Sequence, residues 1–370
     1  MLQGAVRVLI CDDSAVARQF IARACELVPG IEIAGRAGNG EEAVRLARLL
    51  RPDVITMDVE MPGMGGIAAV RAIMQAAPTP ILMVSSLTHE GSRVTLEALT
   101  AGALDFVPKP GGQEDAHRQA ALVAEKILQL GERGKLALGL GHQEEQERPH
   151  ERMLGRPEPT AAPVASAPLE RPLATPRTGR MPLVIIGAST GGPRALFSVV
   201  PQLPRDLAAA VLIVQHMPPG FTRSLAERLD DQGPLPVREA EEAEEMRPGV
   251  VRVAPAGHHL VVAGRQLKLT DTPTEHGVRP AVDVTLRTAA ASYPGPIVAA
   301  ILTGMGRDGT DGAQRVRDAG GKVIAESEAT ALIYGMPKSV VEAGAADRIA
   351  DLGEVAYEIV RYIEEASRVH

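Results

Sequence analysis

The sequence predicts an α/β fold with an N-terminal (βα)5 domain and a C-terminal doubly wound, mostly parallel sheet that includes an antiparallel hairpin. Short apolar runs alternate with helix-like stretches in both halves of the chain, a pattern that favours parallel sheets with helices on both faces. The length of 370 residues fits two domains or slightly more. A proline-rich segment interrupts the alternation once, so we expect domains over 1–130 and 181–370 and a linker over 131–180.

The N-terminal block contains five predicted strand–helix units. The first helix has Ser14 as a suitable N-cap, and apolar residues recur along it at helical spacing at Val16, Phe20, Ala24 and Leu27. The strands are predicted over 6–10, 31–34, 54–57, 81–84 and 104–107, and the helices over 15–27, 40–50, 66–76, 92–101 and 114–130. In such sheets, ligands bind beyond the carboxyl ends of the strands.

The C-terminal block alternates in the same way but carries shorter strands in its middle. Two of these strands flank Gly264 and predict the antiparallel hairpin. The strands are predicted over 183–186, 211–215, 250–253, 259–262, 266–269, 297–302 and 322–325, and the helices over 192–200, 222–229, 283–291, 312–319 and 352–366.

Composition excludes several classes of protein. The net charge of −7 and the scarcity of aromatic residues argue against a nucleic-acid partner, which would need a basic surface or stacking platforms. The two cysteines, Cys11 and Cys25, cannot form a disulfide framework. No apolar run reaches the ~18 residues of a membrane span, and no signal segment is visible. We therefore expect a soluble, cytoplasmic protein without direct membrane insertion.

Acidic residues follow the first and third predicted strands, at the edge where ligands bind. Asp12 and Asp13 follow the first strand and Asp58 the third, while Ser85 follows the fourth and Lys109 the fifth. Converging carboxylates repel one another, and Mg²⁺ bound by oxygen ligands would relieve the repulsion. Asp58 could then attack a phosphoryl group, with Ser85 and Lys109 contacting its oxygens. The alternative is that these acids only cap helices.

These residues resemble the motifs of a response-regulator receiver domain. The matching segments are DD at 12–13, D at 58 followed by MP at 61–62, S at 85 and KP at 109–110. The resemblance implies phosphorylation of Asp58 by a histidine kinase, with Mg²⁺ held by Asp12, Asp13 and Asp58. It also places Phe106 where the family carries a switch aromatic.

A second group of candidate residues follows strands of the C-terminal block. The segment GASTGGP (187–193) places Ser189 at a strand-to-helix turn, where helix N–H groups could stabilise an oxyanion. His216 and Asp308 each follow another strand, so the three side chains are expected to border one crevice. A Ser-His-Asp set is what acyl transfer requires. Taken alone, Ser189 could equally be a helix N-cap.

Two other interpretations of this block remain open. The chain order of α/β-hydrolases places the acid before the histidine, which Asp230 and His258 would satisfy. The segment GMGRDG (304–309), with Glu326 ending the next strand, also fits a dinucleotide-binding fingerprint. Against that fingerprint, Asp308 would lie beside a pyrophosphate. His259 and His276 are predicted to be surface or packing residues.

The C-terminal block resembles the catalytic domain of the CheB-type protein-glutamate methylesterase family. The resemblance rests on GASTGGP (187–193), QHMPPGFT (215–222), RPAVDV (279–284), LTGMGRDG (302–309) and YGMPKS (334–339). It implies that Ser189, His216 and Asp308 are catalytic, and that backbone N–H groups of Thr190 and Met305 form the oxyanion hole. Ala281 departs from the family, which usually carries Ser there.

The resemblance also implies a function and partners. The family hydrolyses glutamyl methyl esters on the cytoplasmic helices of chemoreceptors and often deamidates receptor glutamines, with no cofactor for the esterase step. A rival prediction is a non-catalytic phospho-acceptor whose second domain only binds a partner. A DNA-binding regulator is disfavoured, because the C-terminal block has no basic recognition helix. We further expect the N-terminal domain to dock over the Ser189 crevice until Asp58 is phosphorylated.

Overall fold

A computed structural model of the chain describes residues 4–85, 89–109, 113–137 and 180–368. Pro110 of the KP motif lies outside these residues. So does the linker predicted over 131–180, except for 131–137 and residue 180.

Within the described residues, the N-terminal domain is a five-stranded parallel sheet with the order β2-β1-β3-β4-β5. This confirms the predicted alternation, and helices α2 and α3 have the predicted bounds. The elements are β1 (Val6–Cys11), α1 (Ala15–Glu26), β2 (Ile31–Ala37), α2 (Gly40–Leu50), β3 (Val54–Asp58), α3 (Gly66–Ala76), β4 (Ile81–Ser85), α4 (His89–Thr100), β5 (Asp105–Pro108) and α5 (Gln113–Ala137).

Helix α1 begins as predicted but buries a different face. The Ser14 side chain accepts a hydrogen bond from the N–H of Ala17, as an N-cap does. However, Val16 is 80% exposed and Leu27 is 60% exposed. The buried residues are Ile21, Ala22, Ala24 and Cys25. Apolar residues occupy several stripes of this helix, so their spacing alone did not identify the stripe that packs on the sheet.

Helix α5 continues seven residues beyond its predicted end at Leu130. Two glycines that are poor helix formers lie in this extension, at Gly131 and Gly134. A Cβ at Gly131 would collide with Val6, and a Cβ at Gly134 would meet the Pro80 ring at 2.7 Å. Close packing of the last turns against the start of the sheet therefore keeps the glycines in the helix.

The C-terminal domain is a seven-stranded parallel sheet, with the order β14-β13-β12-β6-β7-β9-β8 in the described residues, plus a separate hairpin of β10 and β11. The strands are β6 (Leu183–Ala188), β7 (Ala210–Gln215), β8 (Val237–Glu239), β9 (Val251–Val253), β10 (His259–Ala263), β11 (Gln266–Thr270), β12 (Ile297–Ile301), β13 (Lys322–Glu326) and β14 (Arg348–Ala350). The helices are α6 (Gly192–Val199), α7 (Phe221–Gln232), α8 (Val282–Ser292), α9 (Thr310–Asp318), α10 (Met336–Glu342) and α11 (Leu352–Arg368). The sequence did not predict β8, β14 or α10, which are only three to seven residues long.

The topology brings the candidate catalytic strands together. Strand β6 lies between β12 and β7, and all three strands are fully buried. Their carboxyl ends therefore meet at the centre of one sheet edge, as expected from parallel pairing.

The two domains pack against each other in the described structure. Helix α4 contacts α7, where the hydroxyl oxygens of Ser92 and Ser224 lie 2.7 Å apart and both side chains are buried. Near the end of α5, the Arg133 guanidinium donates a 3.1 Å hydrogen bond to the carbonyl oxygen of Glu328. No helix in the described part of the chain combines the length and apolar character needed to cross a bilayer.

Candidate phosphorylation site and candidate active site

The predicted acidic cluster of the N-terminal domain assembles at the carboxyl edge of the sheet. Carboxylate oxygens of Asp12, Asp13 and Asp58 lie within 4.8 Å of one another. Lys109 closes the cluster, with its Nζ 2.8 Å from Asp58 Oδ2 and 3.0 Å from Asp12 Oδ2. Three oxygen ligands this close fit a hard divalent cation such as Mg²⁺.

Burial and charge act in opposite directions on this cluster. Burial raises the pKa of the Asp58 carboxyl, as does the Asp12 charge, while the hydrogen bond from Lys109 lowers it. Burial lowers the pKa of Lys109, but its bonds to Asp58 and Asp12 outweigh burial and raise it overall. Lys109 therefore stays cationic between the two carboxylates.

Ser85 ends β4, the strand next to the one that carries Asp58, and Phe106 lies on the following strand, β5. The Thr95 hydroxyl donates a 2.6 Å hydrogen bond to Ser85 Oγ, which links the end of β4 to helix α4. Phe106 is 5% exposed, and its ring stacks on Phe221 of the C-terminal domain. The predicted switch aromatic is thus part of the contact between the domains.

Ser189 occupies a tight turn between β6 and α6. The Ser189 N–H donates a 3.0 Å hydrogen bond to the Thr303 carbonyl, which ties the turn to the end of β12. Gly191 has a φ of 76°, a left-handed conformation that favours glycine. Helix α6 begins at Gly192, so Ser189 lies just before a helix N-terminus.

His216 follows β7 and is hydrogen-bonded to Asp308. The distance from His216 Nε2 to Asp308 Oδ2 is 2.8 Å, and the two side chains are 11% and 2% exposed. The backbone N–H of His216 donates to the Ala188 carbonyl at 3.1 Å, which holds His216 beside the residue before Ser189. With Nε2 bound to Asp308, Nδ1 is the imidazole nitrogen left for the nucleophile.

Asp308 is held by further hydrogen bonds from α8. The N–H groups of Val282 and Asp283 donate to its two oxygens at 2.7 and 2.9 Å. Burial raises the pKa of the Asp308 carboxyl, but hydrogen bonds from His216 and these two backbone groups outweigh it and lower the pKa. Asp308 is therefore ionised at neutral pH, as the partner of a catalytic imidazole must be.

A cavity of about 780 Å³ contains the Ser189, His216 and Asp308 side chains and is closed on one side by the N-terminal domain. Thr190 and Met305, whose N–H groups are the predicted oxyanion donors, line the same cavity. The opposite wall includes residues of the N-terminal domain, among them Phe106, Leu122 and Lys126.

The structure does not support the alternative His-Asp pair. Asp230 Oδ1 accepts a 2.7 Å hydrogen bond from the Val237 N–H, while His258 Nδ1 lies 2.5 Å from Asp271 Oδ1 on the surface. Asp230 is therefore occupied with a loop, and His258 pairs with a different acid.

The glycine motif at 304–309 also has another role than the dinucleotide fingerprint. Glu326 is fully buried and accepts a 2.7 Å hydrogen bond from the Thr303 N–H, so its carboxylate is not presented to a ribose. Asp308 within the motif faces His216. These contacts belong to the interior of the candidate esterase site.

One pair of residues near the site was missed. His276 was predicted to be a surface or packing residue, but its Nε2 lies 2.8 Å from Asp283 Oδ2 and 3.9 Å from Asp308 Oδ1. Burial raises the pKa of Asp283, and the neighbouring Asp308 charge adds to the shift. Only the fold brings this pair beside Asp308. The one sequence feature that pointed to it was the RPAVDV segment, which contains Asp283. His259 is a packing residue as expected, since it is fully buried and hydrogen-bonded to Pro273 and Ala281.

Comparison with known proteins gives matches to both halves of the chain. The profile of the family described as CheB methylesterase matches residues 184–359, and that of the response regulator receiver domain matches residues 8–121. A protein-glutamate methylesterase/protein-glutamine glutaminase of Thermotoga maritima is 42% identical over 369 residues, which cover 98% of this chain and 100% of the relative. A relative of the same description from Archaeoglobus fulgidus is 42% identical over 364 residues, covering 97% of this chain and 98% of the relative. Among solved structures, the Thermotoga maritima CheB methylesterase catalytic domain is 46% identical and covers 50% of this chain and 98% of its own, with a TM-score of 0.47.

Proposed function

The chain belongs to the CheB methylesterase family, and on that premise we propose that it is a phosphorylation-activated protein-glutamate methylesterase. Its substrates would be methyl esters of glutamate side chains on the cytoplasmic helices of chemoreceptors. The observation that carries the proposal is the hydrogen-bonded His216–Asp308 pair in the cavity that also contains Ser189. This set of groups is suited to acyl transfer.

The proposed reaction follows from the position of each group. Ser189 Oγ attacks the ester carbonyl while His216 accepts the hydroxyl proton, and Asp308 stabilises the resulting imidazolium. His216 then returns the proton to the departing methanol, which leaves a glutamyl ester on Ser189. Water attacks this ester, His216 takes the proton of the water, and the glutamate is released as Ser189 Oγ is reprotonated.

Oxyanion stabilisation would come from the backbone. Thr190 and Met305 line the cavity together with Ser189, and their backbone N–H groups would act as preorganised donors that lower the barrier of the tetrahedral steps. The same groups serve a glutamine side chain, for which the leaving group is ammonia instead of methanol. We therefore include glutaminase activity in the proposal.

Regulation would come from the receiver domain that forms the opposite wall of the cavity. A single helix with its side chains is about 10–12 Å across, so a bundle of receptor helices could not reach Ser189 past Phe106, Leu122 and Lys126. Phosphorylation of Asp58 by a histidine kinase would add about −1.5 to −2 charges. Asp12, Asp13 and Asp58 would hold the Mg²⁺ that offsets this charge, with Ser85 and Lys109 contacting the phosphoryl oxygens.

The test is methanol release from methylated chemoreceptor membranes. The full chain is assayed with and without a small-molecule phosphodonor and Mg²⁺, beside an Asp58→Asn variant. We expect the donor to accelerate the unmodified chain and to leave the Asn variant unchanged. A folded, phosphorylated chain that releases no methanol, even from an activated ester, would instead identify a non-catalytic phospho-acceptor.

A further inference from the structure

We propose that Gln215 is a positioning residue for the oxyanion hole, because its side-chain amide fixes the peptide group whose N–H belongs to Thr190. This inference rests on the proposed esterase function. Gln215 is the last residue of β7 and is 1% exposed.

The Gln215 amide joins the two loops that carry the nucleophile and the base. Its Nε2 donates a 2.8 Å hydrogen bond to the carbonyl oxygen of Ser189 and a 3.1 Å hydrogen bond to that of His216. The Ser189 carbonyl also accepts a 2.8 Å hydrogen bond from the N–H of Gly192, in the first turn of α6. Two donors on one oxygen hold this peptide group in a single orientation.

The orientation of that carbonyl determines the direction of the Thr190 N–H. The Ser189 carbonyl and the Thr190 N–H belong to the same peptide group, which is planar and trans, so the two bonds point in opposite directions. Since the carbonyl is turned towards Gln215 and Gly192, the N–H is turned to the other side of the loop. Ser189, Thr190 and Gln215 all line the cavity, so a fixed Ser189–Thr190 peptide holds the direction of the Thr190 N–H constant within it.

Thr303 fixes the next peptide group in the same way. Its Oγ1 donates a 2.9 Å hydrogen bond to the carbonyl oxygen of Thr190, and its own carbonyl accepts the Ser189 N–H at 3.0 Å. Thr303 thus anchors the peptide groups before and after the Ser189–Thr190 peptide, and rotation of that peptide would break the bonds to Gln215 and Gly192. The Gln215 amide is therefore the side-chain anchor of the donor peptide.

The chemistry of the surroundings assigns the amide nitrogen. Both neighbours of Nε2 are carbonyl oxygens, which can only accept, so the NH₂ group must face them. Oε1 is turned towards Gly192 and is buried without a hydrogen-bond partner among the described residues. An unsatisfied buried oxygen is unfavourable, and an apolar side chain of similar size would avoid it. The presence of glutamine is therefore explained by the two bonds that its nitrogen makes.

The experiment compares full-length variants in the phosphorylated state, with methylated receptor membranes as substrate. Gln215→Glu keeps the shape but cannot donate, and Gln215→Met removes both polar atoms without burying a charge. The control is Tyr293→Phe, which deletes another buried donor to a backbone carbonyl, the 2.7 Å bond to Met181 before β6. The probe for the oxyanion hole is a trifluoromethyl ketone analogue of the glutamyl ester, which forms a tetrahedral adduct with serine.

We expect both Gln215 variants to lose roughly tenfold to a hundredfold in kcat, less than or similar to the loss of an oxyanion donor itself. KM should stay unchanged, and the affinity for the ketone should fall by the same factor as kcat. Tyr293→Phe should lower the stability of the fold by about as much as the Gln215 variants do, but it should leave kcat unchanged. Unchanged kcat in a folded Gln215 variant, or a kcat loss without loss of ketone affinity, would overturn the inference.

A measurement on the unmodified chain covers the case in which neither variant folds. The Gln215 side-chain amide protons should be protected from solvent exchange, and the Thr190 amide resonance should shift downfield when the ketone binds. Rapid exchange of the Gln215 protons or an unmoved Thr190 resonance would contradict the proposal. If the unmodified phosphorylated chain releases no methanol at all, the failure lies in the proposed function and not in the role of Gln215.

Discussion

Phe106 and Phe221 stack across the boundary between the two domains, with ring centroids 4.6 Å apart and ring planes 11° from parallel. Phe106 lies on β5, three residues before Lys109, and Phe221 begins α7, five residues after His216. One aromatic contact therefore connects the neighbourhood of the candidate phosphorylation site to the loop of the proposed catalytic base. A rearrangement at Asp58 that moves Phe106 would weaken the closed arrangement directly.

We predict that Phe106→Leu raises the basal, unphosphorylated rate of methanol release by roughly threefold to tenfold. Aromatic pairs contribute about 0.5–1.5 kcal/mol beyond their buried area, and losing this energy shifts the population towards the open arrangement. Rates without phosphodonor are compared with those of Phe20→Leu, which shortens a half-buried phenylalanine of α1 that is not part of the Phe106–Phe221 stack. A basal rate equal to that of the unmodified chain would mean that the stack does not hold the site closed.

We predict that Ser189→Ala abolishes methanol release without unfolding the domain. Ser189 is the candidate nucleophile. Because triad members act as a unit, His216→Ala should lower turnover by about as much as Ser189→Ala does. Asp308→Asn should lower turnover by up to ~10⁴, since the amide cannot hold the required imidazole tautomer. Thermal unfolding checks the fold, with Ser198→Ala on α6 as the control. Near-normal turnover in the folded Ser189 variant would refute the triad assignment.

We predict that removal of divalent cations blocks activation but not basal hydrolysis. Without a cation, three carboxylates within 4.8 Å would repel an incoming phosphoryl group. Stimulation by a phosphodonor is measured with Mg²⁺, with excess EDTA, and after Mg²⁺ is restored. The basal rate in EDTA serves as the control, since the esterase step uses only side chains and backbone. Full stimulation in EDTA would show that the acidic cluster needs no cation.

We predict that Glu326→Gln flattens the pH dependence of stability. Burial raises the pKa of Glu326 from 4.5 to about 7. Between these values the folded chain binds one proton more than the unfolded chain, so the free energy of unfolding falls as pH rises through this window and levels off above it. The fall is of the order of 3 kcal/mol, and the Gln variant cannot show it. Urea unfolding of both proteins at pH 5 and pH 8 measures how much the free energy of unfolding changes between the two pH values. An equal change in both proteins would contradict the raised pKa of Glu326.

Much of the fold could be predicted because the apolar pattern of the strands is unambiguous. Fully buried parallel strands such as β3, β4 and β6 are continuous apolar runs bounded by helix signals. The short strands β8 and β14 could not be predicted, because three residues are too few to show a period. The extension of α5 could not be predicted, because glycines such as Gly131 and Gly134 usually end a helix. Only the close approach of Val6 and Pro80 explains why glycine lies at these two positions.

The candidate site shows the same division between local and tertiary information. Ser189, His216 and Asp308 could be placed together because each follows a parallel strand, and strand ends share an edge. Gln215 and His276 could not be given roles, because their partners are determined by loop conformations that no spacing encodes. The docking of the N-terminal domain was expected from its architecture, but the Phe106–Phe221 contact required the packed structure.

The central position of β12, β6 and β7 has a consequence for how activity can be controlled. Each of these strands has a paired neighbour on both sides, and interior strands open only when the whole domain unfolds. Their amide hydrogens should therefore exchange with solvent at the rate of global unfolding, while loops and edge strands exchange faster. Local melting of these three strands is therefore not a route by which such an enzyme could be turned off. Reversible control would act beyond the strand ends, on the loops that follow them or on access to the crevice that they border.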